Sequence, residues 1–328
     1  MTGPVRAKRA AGLPFDVRGR VLAPSPSFSP HLFRAATPRG LAGRPARAHR
    51  HWMDPSLQPP GREPMFNLPG VVLVTAGLLA AIHVGRDVLS REDDFALLLE
   101  LAFVPARWSL AFGGGGLDAI AADLARRGAE EGRALAGIAA LVLGDREAKV
   151  WTAVTHALLH ASWAHLLSNA LWLVAFGTPV ARRLGPFRFL LLGVAAVLAG
   201  AAAHFLSNPL EVVPMIGASG GVSGLVAAAA WFVFTPVPPW VGRAEAHERP
   251  RQTPRALLSN PRALAFLGIW LAIDISVGLL AGPLGIAGGA IAWQAHIGGL
   301  IAGLALFPLL DPDRQTVGAP DWDERDAR

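Results

Sequence analysis

Long apolar runs separated by short polar clusters dominate this chain. Six of them, at roughly 68–85, 160–181, 186–206, 213–235, 262–281 and 288–310, carry few or no charges. Each approaches the roughly 20 residues that a helix rising 1.5 Å per residue needs to cross a hydrocarbon core about 30 Å thick. The pattern predicts an all-α membrane protein with six spanning helices. Between the first two runs, Arg86 to Val150 is too long for a tight connection. There LDAIAADLARRGAEEGRALAGIAALVL has the period of an amphipathic helix, and FALLLELAFVPARWSLAF is apolar but broken by Pro105. Both are expected to form a long first extracytoplasmic loop at the outer interface. FALLLELAF is too short for a further span and carries Glu100.

Charge gives the runs a direction. Arg182, Arg183 and Arg188 follow the second run, and Arg243, Arg249, Arg251, Arg255 and Arg262 the fourth, whereas SNPLEVV and GPLGIA after the third and fifth have no Lys or Arg. Basic loops stay on the cytoplasmic side. Both termini are therefore expected to be cytoplasmic, with spans two, four and six running from outside to inside, and the loop arginines are read as topology signals only.

Composition agrees: 52% of residues are hydrophobic, 16% charged, and the mean hydropathy is +0.39, more apolar than an average soluble domain. Cysteine is absent, which excludes a Cys nucleophile and thiolate metal sites. Tyrosine is absent too, leaving Trp151, Trp163, Trp240 and Trp293 as aromatic anchors near span ends. The net charge of +6 is unevenly spread: residues 1–64 hold 11 Lys and Arg against 3 acidic residues, the rest 19 against 21. Residues 1–64, rich in Arg, Pro, Ser and Gly without periodicity, are expected to be a disordered basic cytoplasmic tail beside anionic lipid. A presequence, or a start at Met53 or Met65, are alternatives. Lacking regular aromatic interleaving, the tail points to no nucleic-acid partner. The expected domain is 65–311, followed by a short polar tail at 312–328.

Polar side chains inside spans are costly and mark function. Span two opens on THALLHASWAHLLSN, with His156, His160, His165 and Asn169; span four holds Ser219 in GASG; span five holds Asp274; span six holds His296 in WQAHIGGLIAG. Counted from the outer ends of spans two, four and six, His165, Asn169, Ser219 and His296 all fall within about 5 to 13 Å of the outer surface. His165 and Asn169, at i, i+4, share a helix face. His296, Gly299 and Gly303 share another, and Gly220 and Gly224 form a small-xxx-small pair just after Ser219. If the two glycine faces pack together, Ser219 and His296 become neighbours, as a nucleophile and its base must. Asn169, His165 and the Ser219 backbone N–H are then candidate oxyanion donors. With no carboxylate counted at this depth to orient His296, a Ser/His dyad is expected rather than a triad.

At these residues the chain resembles the rhomboid intramembrane serine proteases over roughly residues 65–310. The Gly-x-Ser-Gly motif matches Gly217, Ala218, Ser219 and Gly220; Ala-His-x-x-Gly-x-x-x-Gly matches Ala295, His296, Gly299 and Gly303; His-x-x-x-x-His-x-x-x-Asn matches His160, His165 and Asn169. The resemblance implies a six-helix bundle in which Ser219 attacks the scissile carbonyl, His296 is the base, and His165, Asn169 and the Ser219 N–H bind the oxyanion. His160 is implied as a structural histidine beneath the first loop. Substrates would be single-span membrane proteins cut near the outer face, entering past span five, and no cofactor is implied. The implied location is a bacterial inner membrane, or alternatively a mitochondrial inner membrane. Two positions depart from the pattern. Trp151 is followed by Thr152 where the family often has Arg, and Ser223 stands four residues after Ser219, where many members carry an aromatic ring that packs on the catalytic histidine.

Blander readings exist for each residue. Ser219 between glycines is ordinary helix-packing material, and His296 alone is as readily a bonded core histidine. Only their combination with His165 and Asn169 at one depth favours chemistry. HALLH has zinc-helix spacing at His156 and His160, but Ala157 stands where a zinc protease needs its Glu, so no metal is expected. Asp274 is read as structural, or as tuning a span-five gate. A catalytically silent rhomboid-like binder of membrane clients would normally lack Ser or His. A transporter would show paired broken helices around a midplane ion site.

Overall fold

The computed structural model describes residues 67–144, 147–236, 245–280, 292–312 and 316–317. The basic tail expected over 1–64 and nearly all of the C-terminal tail lie outside the described residues, as does Trp240.

The described residues are predominantly helical. Helix α1 (Gly70–Asp87) is followed by a loop region of four helices: α2 (Arg91–Leu101), α3 (Pro105–Phe112), α4 (Leu117–Arg126) and α5 (Ala129–Val142). The single amphipathic helix expected from Leu117 onward is two, because Gly128 takes φ +93°, a conformation glycine adopts without strain. Short α6 (Thr152–Thr155) and a 3-10 turn at His156–Leu158 lead to α7 (Trp163–Ser207). Its 45 residues break at Gly185, φ +75° and ψ 167°, immediately before Pro186. The break falls between the runs predicted to end at 181 and begin at 186. Then come α8 (Ser219–Val233), α9 (Pro254–Ser259), α10 (Pro261–Leu280) and α11 (Trp293–Leu310). Strands β1 (Arg251–Gln252) and β2 (Thr316–Val317) pair in parallel.

Among the described residues, α1, α7, α10 and α11 are long and apolar enough to cross a membrane, and α8 is a shorter apolar helix. α8 is the hub. Gly220 through Phe232 are all buried, packed among α7, α10 and α11 in a core that includes Leu173, Leu192, Val226, Phe232 and Phe307. The run predicted from 213 becomes helical only at Ser219. Before it, Met215 pairs with Phe103 of the loop region through two backbone hydrogen bonds, 2.8 and 3.1 Å. Those bonds satisfy polar groups that a helix would otherwise bond internally.

A smaller core beneath α3–α5 gathers Val104, Ile120, Leu124, Val142 and Val212. Buried Arg107 ties this region together, donating from Nε to the Val142 carbonyl at 2.5 Å and from Nη1 to the Leu99 carbonyl at 2.6 Å. Where the family pattern has Arg after Trp151, buried Thr152 donates to the Lys149 carbonyl at 2.7 Å, and Trp151 Nε1 donates to the Glu100 carbonyl at 2.9 Å.

The arginines read from the sequence as topology signals also hold the fold together. The Arg183 side chain is 3% exposed and grips Asp311 with both ends of its guanidinium fork, 2.9 Å each. It also donates to the His247 and Arg249 carbonyls. A planar fork that matches a carboxylate suits such a buried pair.

Candidate active site

The site is built where the first turns of α8 and α11 meet. Gly217 has φ +125°, and a Cβ there would lie 2.8 Å from both Cε1 and Nε2 of His165. Glycine therefore serves two needs at once: a left-handed backbone and room for an imidazole. Its N–H donates to the His156 carbonyl at 2.9 Å. Two residues on, Ser219 opens α8, where the first N–H groups have no intrahelical partner and the helix dipole favours negative charge.

The two glycine faces do pack on each other. A Cβ on Gly299 would run into the backbone of Gly220, and one on Gly303 into the backbone of Gly224, at their carbonyls. Only glycine permits helices so close. Gly200 of α7 packs on the Ala295 carbonyl less tightly, 2.8 Å from where a Cβ would lie. The result is a hydrogen bond of 2.7 Å between Ser219 Oγ and His296 Nε2. Ser219 is half-buried and His296 9% exposed.

His165 and Asn169 stand on α7 beside this pair. The Ala161 N–H approaches His165 Nδ1 at 3.5 Å. That leaves the ring proton on Nε2, the atom lying over Gly217. Asn169 is buried, and its Nδ2 donates to the His165 carbonyl at 3.2 Å; an amide carries two such hydrogens, so one is left.

His156 and His160 do not share a helix face, because the 3-10 turn ends at Leu158 and His160 lies beyond it. His156 Nδ1 donates to the Thr152 carbonyl at 2.8 Å. His160, 1% exposed, packs edge-on against His165 with ring centroids 5.0 Å apart. Both lie outside the long helices, and burial pushes the pKa of each down to about 4. The neighbouring charges of His165 and His83 press His160 further the same way.

Two residues escaped sequence reasoning, and a third was placed at the wrong depth. Arg86, at the end of α1, donates from Nη1 to the His160 carbonyl at 2.8 Å while Nε and Nη2 hold Asp94. It thereby pins the first loop to the approach of α7. His83, buried one turn earlier, meets Trp163 edge-on at 4.8 Å. Asp274 is the third, and it corrects the expectation that no carboxylate shares this depth: its Oδ1 lies 3.2 Å from His296 Nδ1. On the expected topology the fifth run points outward, which puts Asp274 seven residues before its predicted outer end at 281, about 10 Å. Counting from that end would have found it.

Among the described residues no group of three or more His, Asp or Glu side chains is arranged to hold a metal. The chemistry the arrangement can perform is nucleophilic: a hydroxyl hydrogen-bonded to an imidazole, at a helix N-terminus, with donors alongside.

A family profile described as Rhomboid domain matches residues 147–311. Similar curated proteins include the Rhomboid protease GlpG of Pectobacterium atrosepticum, 33% identical over 163 residues, 49% of each chain. Those of Yersinia pestis (34% over 160 residues) and Serratia proteamaculans (33% over 159) each cover 48% of this chain and 47% of the relative. The chain spans about half the length of the curated relatives it matches.

Proposed function

The chain belongs to the rhomboid family, and on that premise we propose that it is an intramembrane serine endopeptidase that cleaves transmembrane substrates near the outer membrane face. The single observation that carries this reading is the 2.7 Å bond between Ser219 Oγ and His296 Nε2. Ser219 Oγ attacks the scissile carbonyl carbon and its proton passes to Nε2. The oxyanion forms beside the Ser219 N–H, His165 Nε2–H and the remaining Asn169 amide hydrogen. Collapse of the tetrahedral species breaks the C–N bond, and His296 returns its proton to the leaving amine. Water then attacks the acyl-enzyme by the same route, releasing the new carboxyl end and restoring Ser219.

Six spans follow if the two arms of α7 on either side of Gly185 each cross the bilayer and α8 is the fourth. At 15 residues α8 is about 22 Å long, short of the roughly 30 Å core. Ser219 then sits below the outer surface, roofed by the loop region and reached by water from that side. Both termini are cytoplasmic, the membrane is a bacterial inner membrane, and the substrates are single-span proteins entering past α10. The test is cleavage of a reconstituted single-span substrate by wild type, Ser219→Ala and His296→Ala, with a fluorophosphonate probe alongside. Wild type is expected to cleave and be labelled, and both variants to lose cleavage. Persistent cleavage in both variants would sink the proposal, and intact client binding without cleavage by wild type would favour a silent binder.

A further inference from the structure

The protease reading needs His296 held in one orientation, yet the position one turn beyond Ser219 carries no ring. It holds Ser223, 1% exposed, its Oγ without a hydrogen-bond partner. Support comes instead from another helix. The inward stripe of α10 is Ala263, Phe266, Leu267, Trp270, Leu271, Asp274, Ile275 and Gly278, all buried or half-buried, while the residues between them are exposed. This is the i, i+3, i+4, i+7 period of one helix face. Asp274 lies squarely on it, with its side chain 16% exposed.

Two rungs set the register of this stripe against α11. A Cβ on Gly278 would lie 2.8 Å from Trp293 Cβ and Cδ1, so α10 and α11 touch closely there. One turn back along α10 and one turn on along α11, Asp274 Oδ1 meets His296 Nδ1 at 3.2 Å. The approach is within ion-pair distance but off the angle of a hydrogen bond, leaving His296 Nδ1 and Asp274 Oδ2 as buried polar atoms with no hydrogen-bond partner. Such a pair tightens when the base takes up charge. His165 on α7 is a further ionisable neighbour of His296, and it is not acidic.

We propose that Asp274 is a positioning residue for His296, so that this chain works as a Ser219–His296–Asp274 triad with the carboxylate supplied by α10. The proposal rests on the protease reading. As the contact tightens, Asp274 accepts the Nδ1–H, which leaves the Nε2 lone pair facing the Ser219 hydroxyl. When Nε2 takes the Ser219 proton, the ionised carboxylate offsets the imidazolium charge and is not itself protonated. In a site walled by apolar helices this attraction is stronger than in water.

The experiment compares wild type, Asp274→Asn and Asp274→Glu in proteoliposomes, following kcat and KM for a single-span substrate, fluorophosphonate labelling rate and the pH–rate profile. Asp274→Asn is expected to lower kcat about 100-fold or more with KM nearly unchanged, and to slow labelling alike. The acid limb of its profile should differ from that of wild type. Asp274→Glu should recover part of the rate. Wild-type kcat and an unshifted acid limb in Asp274→Asn would overturn the proposal. Should that variant fail to fold, the imidazole ¹⁵N spectrum of the wild-type protein decides, with His296 assigned by its loss in His296→Ala. Neutral His296 protonated on Nδ1 is expected, and Nε2 protonation overturns the proposal. Absence of Ser219-dependent cleavage by wild type would instead refute the protease reading, a separate result.

Discussion

Gly299 of α11 stands directly against the carbonyl of Gly220 on α8, and this contact sets the separation at which His296 reaches Ser219 one turn away. The reacting pair is thus positioned by two residues that have no side chains. Packing and chemistry are divided between neighbours: glycine brings the backbones together, and the residues beside it carry the functional groups.

Gly299→Val should therefore separate the helices. The added methyls would overlap the Gly220 backbone, and overpacking of this kind costs about 1 to 3 kcal/mol. Cleavage should fall much further than stability, since a shift of about 1 Å at a reacting pair costs on the order of 100-fold in rate. Paired measurements of substrate cleavage and thermal unfolding in detergent would check this.

Gly217→Ala combines backbone strain with a clash. At φ +125° an alanine is strained, and its methyl would meet the His165 ring. A loss of about 1 to 3 kcal/mol is expected, with slower fluorophosphonate labelling of Ser219. Labelling at the wild-type rate would show that His165 need not stand where it does.

At the other end of the bundle, Asp311→Asn should destabilise more than any substitution at the site. It strips the carboxylate charge from the buried Arg183 guanidinium, and breaking a buried pair costs about 3 to 5 kcal/mol. Arg183→Met paired with Asp311→Leu should be milder, because neither charge is then left alone in the core. Melting temperatures of the two proteins would rank them.

The pH dependence of stability has a definite sign. His156 and His160 have pKa values lowered to about 4 in the folded protein, against about 6.5 unfolded. The unfolded chain takes up protons first, so their contribution is whole above about pH 6.5 and is lost as pH falls towards 4. Thermal unfolding followed from pH 7.5 to 5 should show melting temperature dropping, with a shallower slope in His160→Gln.

Much of this was legible in the apolar pattern. Periods of about 20 apolar residues located α1, α10 and the two arms of α7, because a helix that satisfies its own backbone is the structure such a run adopts in lipid. Counting from the predicted outer ends of spans two, four and six put Ser219, His296, His165 and Asn169 at one depth. It fell short at 213–218, where an apolar segment is extended because Phe103, distant in sequence, supplies its hydrogen bonds. A run of apolar residues does not record which partner its backbone will find.

By itself, then, the sequence determined where the long apolar helices lie, in what order the polar residues follow, and which faces are smooth enough to pack. The tertiary structure decided what each polar group meets. Arg183 became half of a buried pair only when Asp311, 128 residues away, folded beside it. Asp274 faces His296 only because Gly278 lets α10 settle against Trp293. Such pairings depend on the rotation and depth of one helix against another. Those are set by the shapes of whole packed faces, and the periodicity of a single chain segment carries no record of its partner.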